Sequence, residues 1–112
     1  MSWYAFDGGR SIGARGSEDG LIILDEENDA GARVTLERSG RTAPFAITCG
    51  IYGWMVHTRF FSGEAEAERE YAAMQSELVA LADMIPLTRD PDVEKKQDAL
   101  IDALGRFVDR FP

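Results

Sequence analysis

The sequence predicts an α+β domain in which an antiparallel β-meander of four to five strands is followed by two C-terminal α-helices packed on one face. Residues 21–61 contain four short runs of strand composition separated by glycine-rich or polar turns, and the runs 32–38 and 43–49 alternate in their side chains. Residues 62–112 change to apolar spacings of three and four. A length of 112 residues suits one compact domain, so we assign 1–112 to a single domain.

The N-terminal segment is the least regular part of the sequence. Its aromatic run "WYAF" at 3–6 has the composition of a short strand, so the strands lie within about 3–61. The following "DGGRSIGARGSEDG" contains five glycines and must turn at least once. The outer face of the predicted sheet carries an apolar patch around Leu21, Ile23, Ala46 and Met55. The aromatic run could form an edge strand or cover this patch, or the patch could be covered by a second subunit.

Four runs have strand patterns, and short turn segments separate them. Successive strands joined by short loops form an antiparallel meander. The strand candidates are "LIILDE" (21–26), "ARVTLER" (32–38), "APFAITC" (43–49) and "WMVHTRFF" (54–61). If 50–53 is the last connection, Cys49 lies opposite Trp54. Earlier pairs then place Leu36 opposite Phe45 and Ile22 opposite Leu36.

Two helices follow, at about 63–85 and 91–111. Ser62 is the predicted N-cap of the first helix, and Pro86 ends it. Asp90 and Pro91 have the composition of an N-cap and a first helical position. The apolar stripes that would cover the sheet are Ala67, Tyr71, Met74, Leu78, Leu81 and Ile85 in the first helix, and Val93, Leu100, Leu104, Phe107 and Phe111 in the second, widened by Ile101 and Val108.

The chain has one cysteine and one histidine, Cys49 and His57, and both lie in the last predicted hairpin. With the register above, they point through opposite faces of the sheet. They would then be unable to form a nucleophile–base pair. One histidine and one cysteine also do not complete a zinc set, so we expect no catalytic residues, no metal and no cofactor.

The predicted outer sheet face carries the candidate binding residues. It holds His57 and Arg59 two residues apart, with the other candidates nearby. The candidate set is His57, Arg59, Met55, Thr48 and Thr35. These side chains could bind an anionic group or a protein partner, or they could form an ordinary solvated sheet surface.

The charge balance bounds the partners. Twelve basic residues against twenty acidic ones give a net charge of −8. Such a charge repels nucleic acid and anionic membranes and favours a basic protein partner, although it also serves solubility alone. There is no signal-peptide pattern and no apolar run of about 18 residues, so we expect a cytoplasmic protein without a membrane span. A homodimer is also expected if the apolar patch is an association surface.

Two functional hypotheses follow. The first is a small acidic, non-enzymatic interaction protein, such as an inhibitor, an immunity-type protein or a regulatory adaptor, that binds a protein partner through the sheet face. The alternative is a small-ligand-binding module or enzyme, with a pocket between sheet and helices or around His57 and Arg59. An enclosed cavity with convergent polar groups would favour the alternative, and a flat surface over a filled core would favour the first.

Overall fold

The computed structural model describes residues 2–112, and it confirms the predicted α+β fold. Five antiparallel strands form one sheet in the order β1-β2-β3-β4-β5, and two helices follow. The elements are β1 (Tyr4–Ala5), β2 (Leu21–Glu27), β3 (Ala32–Arg38), β4 (Phe45–Ile51), β5 (Met55–Phe61), α1 (Glu64–Ala82) and α2 (Val93–Arg110). Neighbours in sequence are neighbours in the sheet, as short connections require.

The two helices lie at the predicted places with shifted ends. The N-cap of α1 is Gly63 rather than the predicted Ser62. The Gly63 backbone is still extended, at φ −121° and ψ 140°, and the helix begins at the next residue. The helix ends at Ala82, three residues before the predicted end. Asp90 and Pro91 precede α2 by two or more residues, and the Asp90 carboxylate accepts a 2.9 Å hydrogen bond from the Leu87 amide. The Asp90–Pro91 pair therefore indicates the turn before α2 rather than the first residue of the helix.

The core lies between the helices and one side of the sheet, which we call the inner face. α1 packs against β3, β4 and β5, and α2 packs against α1. The predicted stripe of α1 is buried from Ala67 to Leu81, with Ile85 partly buried. In α2 the buried side chains are Leu100, Ala103, Leu104 and Phe107, with Phe111 directly after the helix. The predicted widening was wrong, since Ile101 and Val108 are exposed.

The connection between β4 and β5 is one residue shorter than predicted and begins two residues later in the chain. Ile51 pairs with Met55, so three residues form the loop instead of four. The Trp54 amide donates to the Ile51 carbonyl at 2.9 Å, and Gly53 has φ +82° at the position of this turn that favours glycine. Changing a hairpin loop by one residue moves every side chain of the second strand to the other face. Cys49 is therefore opposite His57, not Trp54.

As a result, the predicted faces of β5 were wrong. Val56 and Phe60, expected in the core, lie on the opposite side of the sheet, which we call the outer face, and are 80% and 44% exposed. His57, Arg59 and Phe61 take the inner positions. Arg59 and Phe61 are buried there, so the core on the inner face includes a basic side chain as well as apolar ones.

The other two ladders also depart from the predicted register. In β3–β4, Leu36 pairs with Ile47 rather than Phe45, a shift of two residues that keeps the predicted faces. In β2–β3 an irregularity between Ile22 and Leu24 pairs Ile22 with Glu37. Such a bulge inserts one unpaired residue and reverses the side-chain faces beyond it. Ile22 consequently lies on the outer face, contrary to the prediction.

The N-terminal segment covers part of the outer face. β1 adds a short edge strand through the Tyr4–Glu27 pair. The chain then passes through a 3₁₀ segment, Phe6–Gly9, and forms hydrogen bonds with β2 through Gly13, Ala14 and Ile22. Of the placements left open for the aromatic run, the edge strand is confirmed for Tyr4 and Ala5, whereas Phe6 lies over the Arg33 guanidinium instead of an apolar patch.

A candidate binding groove on the outer face of the sheet

The five residues predicted as one binding surface are divided between the two faces. Thr35 and Thr48 pair with each other across β3–β4 and lie on the outer face. His57 and Arg59 lie on the inner face with Met55, although Met55 also reaches the outer groove described below. The division follows from the changed β4–β5 connection, since β5 is shifted by three residues relative to the predicted pairing and an odd shift exchanges the two faces.

His57 and Arg59 connect β5 to the segment after α2. The His57 Nε2 atom lies 2.5 Å from the Phe111 carbonyl oxygen, and the ring meets Phe107 edge to face. Arg59 donates to the Pro112 carbonyl and to Glu70 Oε1, both at 3.2 Å. Arg59 is only 9% exposed, so this cluster presents little surface to a ligand. These contacts join β5 to α1 and to the segment after α2, and we call this cluster the inner-face clamp.

Cys49 and His57 share the inner face, and the argument that separated them was therefore wrong. Burial raises the pKa of the Cys49 thiol to about 12, with Arg59 opposing the shift by its charge. The thiol thus stays protonated at neutral pH, and a protonated thiol is a poor nucleophile. The hydrogen bond of the His57 ring goes to Phe111. The pair lacks the thiolate that cysteine catalysis requires.

The outer face holds a groove with a volume of about 970 Å³. Its floor is formed by outer-face residues of β3 and β4, among them Thr35 and Thr48. Phe6 and residues 15–17 lie along one side, and Trp54 and Val56 lie along the other. Further charged and polar residues in its lining are Glu27, Asn28, Arg33, Glu37 and Tyr52. The groove exists because the N-terminal segment covers only part of the sheet.

Arg33 and Asp25 form the central ion pair beside this floor. Arg33 donates from Nε to Asp25 Oδ1 at 2.9 Å and from Nη2 to Oδ2 at 2.7 Å, and Thr35 donates to Oδ1 at 3.0 Å. Burial by itself would raise the pKa of Asp25. The hydrogen bonds and the charge of Arg33 outweigh burial, so the pKa lies below its ordinary value. Asp25 is therefore a carboxylate at neutral pH and holds the guanidinium in one orientation.

Phe6 holds the same guanidinium from above. The Arg33 guanidinium carbon lies 3.4 Å from the centre of the Phe6 ring, a close cation–π contact. One side chain from the N-terminal segment thereby fixes the position of an arginine on β3. The sequence placed Arg33 and Thr35 on the outer face, but nothing in it indicated that Phe6 lies over them.

Glu37 is a buried carboxylate in the groove lining, beside the loop 16–20. It is 1% exposed and accepts hydrogen bonds from the backbone amides of Glu18, at 3.1 and 3.4 Å, and Gly20, at 3.0 Å. Backbone amides satisfy a buried carboxylate in place of water. Glu37 thus fastens the glycine-rich loop 16–20 to the sheet. The alternation of β3 placed Glu37 on the outer face, but its loop partners are 19 and 17 residues away in sequence, and no local pattern indicated them.

Among residues 2–112, no three His, Cys, Asp or Glu side chains are grouped so that they could hold a metal ion. None of the described helices is both long enough and apolar enough to cross a membrane. Comparisons of the chain with protein-family models, with curated proteins and with solved structures found no match. The geometry of the groove is therefore the basis for a functional proposal.

Proposed function

We propose that the chain is a non-enzymatic binding protein that holds an organic ligand in the outer-face groove. The single observation that carries this proposal is a groove of about 970 Å³ whose floor brings polar side chains together beside the apolar side chains of Trp54 and Val56. Ligand sites in proteins typically occupy about 300–1,000 Å³ and combine apolar walls with a few placed polar groups. The proposal follows the ligand-binding alternative from the sequence, but the site is an open groove on the outer face rather than an enclosed cavity between sheet and helices or around His57 and Arg59.

The chemistry of the lining supports binding rather than catalysis. Trp54 and Val56 offer apolar surface, while the Thr35 hydroxyl already donates to Asp25. Thr48 is already hydrogen-bonded to Thr58, with the two Oγ1 atoms 3.2 Å apart. The buried carboxylate of Glu37 is engaged by two backbone amides, so its arrangement does not favour proton transfer to a substrate.

The proposal is tested by titrating the protein with a neutral aromatic amide, 4-phenylbutanamide, and following backbone amide shifts by NMR. We expect the shifted amides to be those of the groove. Val56→Glu places a charge beside the groove at an 80% exposed position and should weaken binding without unfolding the protein. Ile101→Glu is the matched control, since Ile101 is 56% exposed on α2, outside the groove lining. Shifts spread over the whole surface, or equal weakening by both variants, would reject the groove as the binding site.

A protein partner at the β5 edge is a second candidate, supported by a separate observation. β5 is the last strand in the sheet order, and its outer-face residues Val56 and Phe60 are exposed. Edge strands with exposed apolar side chains are typical association surfaces. The basic partner and the homodimer predicted from the sequence belong to this proposal, and the cytoplasmic location stays a prediction.

Sedimentation tests the homodimer form of this second candidate. The wild-type chain should show a concentration-dependent mass, and Phe60→Lys should shift it to the monomer, because charge on an edge strand opposes edge pairing. A monomer at all concentrations would remove the homodimer.

A further inference from the structure

We infer that the groove ligand is an amphipathic monocarboxylate, whose carboxylate is bound by Arg33 and Arg15 and whose apolar body lies against Trp54 and Val56. This inference rests on the proposed ligand-binding function and adds the chemical class of the ligand. Its basis is an imbalance in the groove between hydrogen-bond acceptors that are already engaged and donors that are not.

The two buried acidic side chains at the groove, Asp25 and Glu37, are occupied by internal partners. Glu37 accepts from the amides of Glu18 and Gly20, and Asp25 accepts from Arg33 and Thr35. Because these two carboxylates already have donors, they compete weakly for Arg15 and for the unused hydrogens of Arg33.

The donors of the groove, by contrast, have unused capacity. Arg33 uses Nε and Nη2 for Asp25, and its Nη1 makes no hydrogen bond to any described residue. Arg15 forms no ion pair within the part of the chain that the structure describes. The buried Asn28 Nδ2 also has no partner among residues 2–112, although both bonds to its Oδ1 are made. A ligand that fits this lining supplies acceptors.

The form of Arg33 favours a carboxylate among acceptor groups. A guanidinium presents donors in a planar fork that matches the two oxygens of a carboxylate. Asp25 takes the Nε and Nη2 side of Arg33, which leaves the Nη1/Nη2 edge for the ligand carboxylate. Asp25 and the Phe6 ring already fix the guanidinium plane, so little side-chain entropy is lost when a ligand binds. The net charge of −8 opposes polyanions at longer range, which favours a ligand with one negative charge.

Two ligands of equal length test the inference, 4-phenylbutanoate and 4-phenylbutanamide. NMR titration gives the dissociation constant of each at the groove amides. We expect the carboxylate to bind about ten-fold more tightly, the gain typical of hydrogen bonds to a charged group. Arg33→Lys keeps a cation for Asp25 but loses the fork, and it should remove most of this advantage. Arg15→Gln should reduce the advantage without affecting the fold, because Arg15 is exposed. Arg69→Gln makes the same change of charge at an exposed position of α1, outside the groove lining, and should leave the ratio unchanged.

The outcomes separate the inference from the proposed function. Equal binding of the two ligands in the groove would overturn the carboxylate assignment and leave the binding function standing. A carboxylate advantage that survives both Arg33→Lys and Arg15→Gln would overturn the assignment of these arginines. Failure of both ligands to shift groove amides would overturn the function and the inference together.

Discussion

Cys49 and His57 are directly opposed across the β4–β5 ladder on the inner face of the sheet, and yet they do not form a reactive pair. The ring nitrogen Nε2 of His57 lies against the Phe111 carbonyl, and the buried thiol keeps its proton. Opposed positions in a ladder bring side chains close. The hydrogen-bond partner of the imidazole and the protonation of the thiol, more than their opposed positions in the ladder, decide whether the two side chains can react together.

The first prediction concerns the reactivity of this thiol. Cys49 is buried and its pKa is raised to about 12, so the native protein should react very slowly with Ellman's reagent at neutral pH. Unfolding in concentrated guanidinium chloride should release one rapidly reacting thiol per chain, since the chain has one cysteine. Rapid labelling of the native protein would contradict the protonated, buried state.

The second prediction concerns stability at alkaline pH. The Cys49 pKa is about 12 in the folded chain, against an ordinary value of 9.0, so the unfolded chain loses this proton first. Its contribution is therefore complete below about pH 9 and falls as the pH rises toward 12. The loss is at most about 1.4 kcal/mol for each pH unit in that window.

Chemical denaturation at a series of pH values measures this slope, and Cys49→Ala is the comparison. The variant should be less stable at neutral pH and should show a shallower alkaline decline. A residual slope is expected from Tyr71, whose pKa is raised by burial and by its hydrogen bond to Glu26. Identical slopes for the two proteins would show that Cys49 does not contribute.

The third prediction concerns the inner-face clamp. Arg59→Ala removes a buried guanidinium that holds Glu70 and the Pro112 carbonyl, and it should cost about 3 kcal/mol of unfolding free energy. His57→Ala should cost about 1 kcal/mol through the lost Phe111 hydrogen bond, whereas the predicted outer position implied little loss. The exposed Arg69→Ala is the control and should stay within about 0.5 kcal/mol. Thermal or urea denaturation ranks the three, and an Arg59→Ala value as small as the control would refute the clamp.

The fourth prediction concerns the attachment of the glycine-rich loop. A Cβ atom on Gly16 would overlap the Glu37 carboxyl group, so Gly16→Ala should displace that group from the loop amides and cost about 2 kcal/mol. Gly105→Ala is the contrasting variant, because a Cβ there meets nothing within 4 Å, and it should stabilise α2 by about 0.5–1 kcal/mol.

A double-mutant cycle then tests the cause of the Gly16 effect. In a Glu37→Ala background the overlap is gone, so Gly16→Ala should cost much less than in the wild-type protein. Additive losses would show that Glu37 is not what makes Gly16 necessary.

The sequence by itself determined the fold class, the faces of β3 and β4, and the buried stripe of α1, because these follow from repeats within single elements. A period of two or of three to four residues fixes which side chains share a face, and burial of the apolar set supplies the energy. The same reasoning placed Thr35, Thr48 and Glu37 on one surface, which is the floor of the groove.

Only the tertiary structure decided the faces of β5 and the walls of the groove. In "WMVHTRFF" both alternate sets contain large apolar residues, so the pattern does not choose between them. The choice depends on a three-residue loop and on Arg59 and His57 meeting the segment after α2, more than fifty residues away in sequence. Phe6 reaches Arg33 in the same way across a long separation. These contacts join residues that are far apart in sequence. Local periodicity cannot predict them because it describes only which side chains share a face within one element.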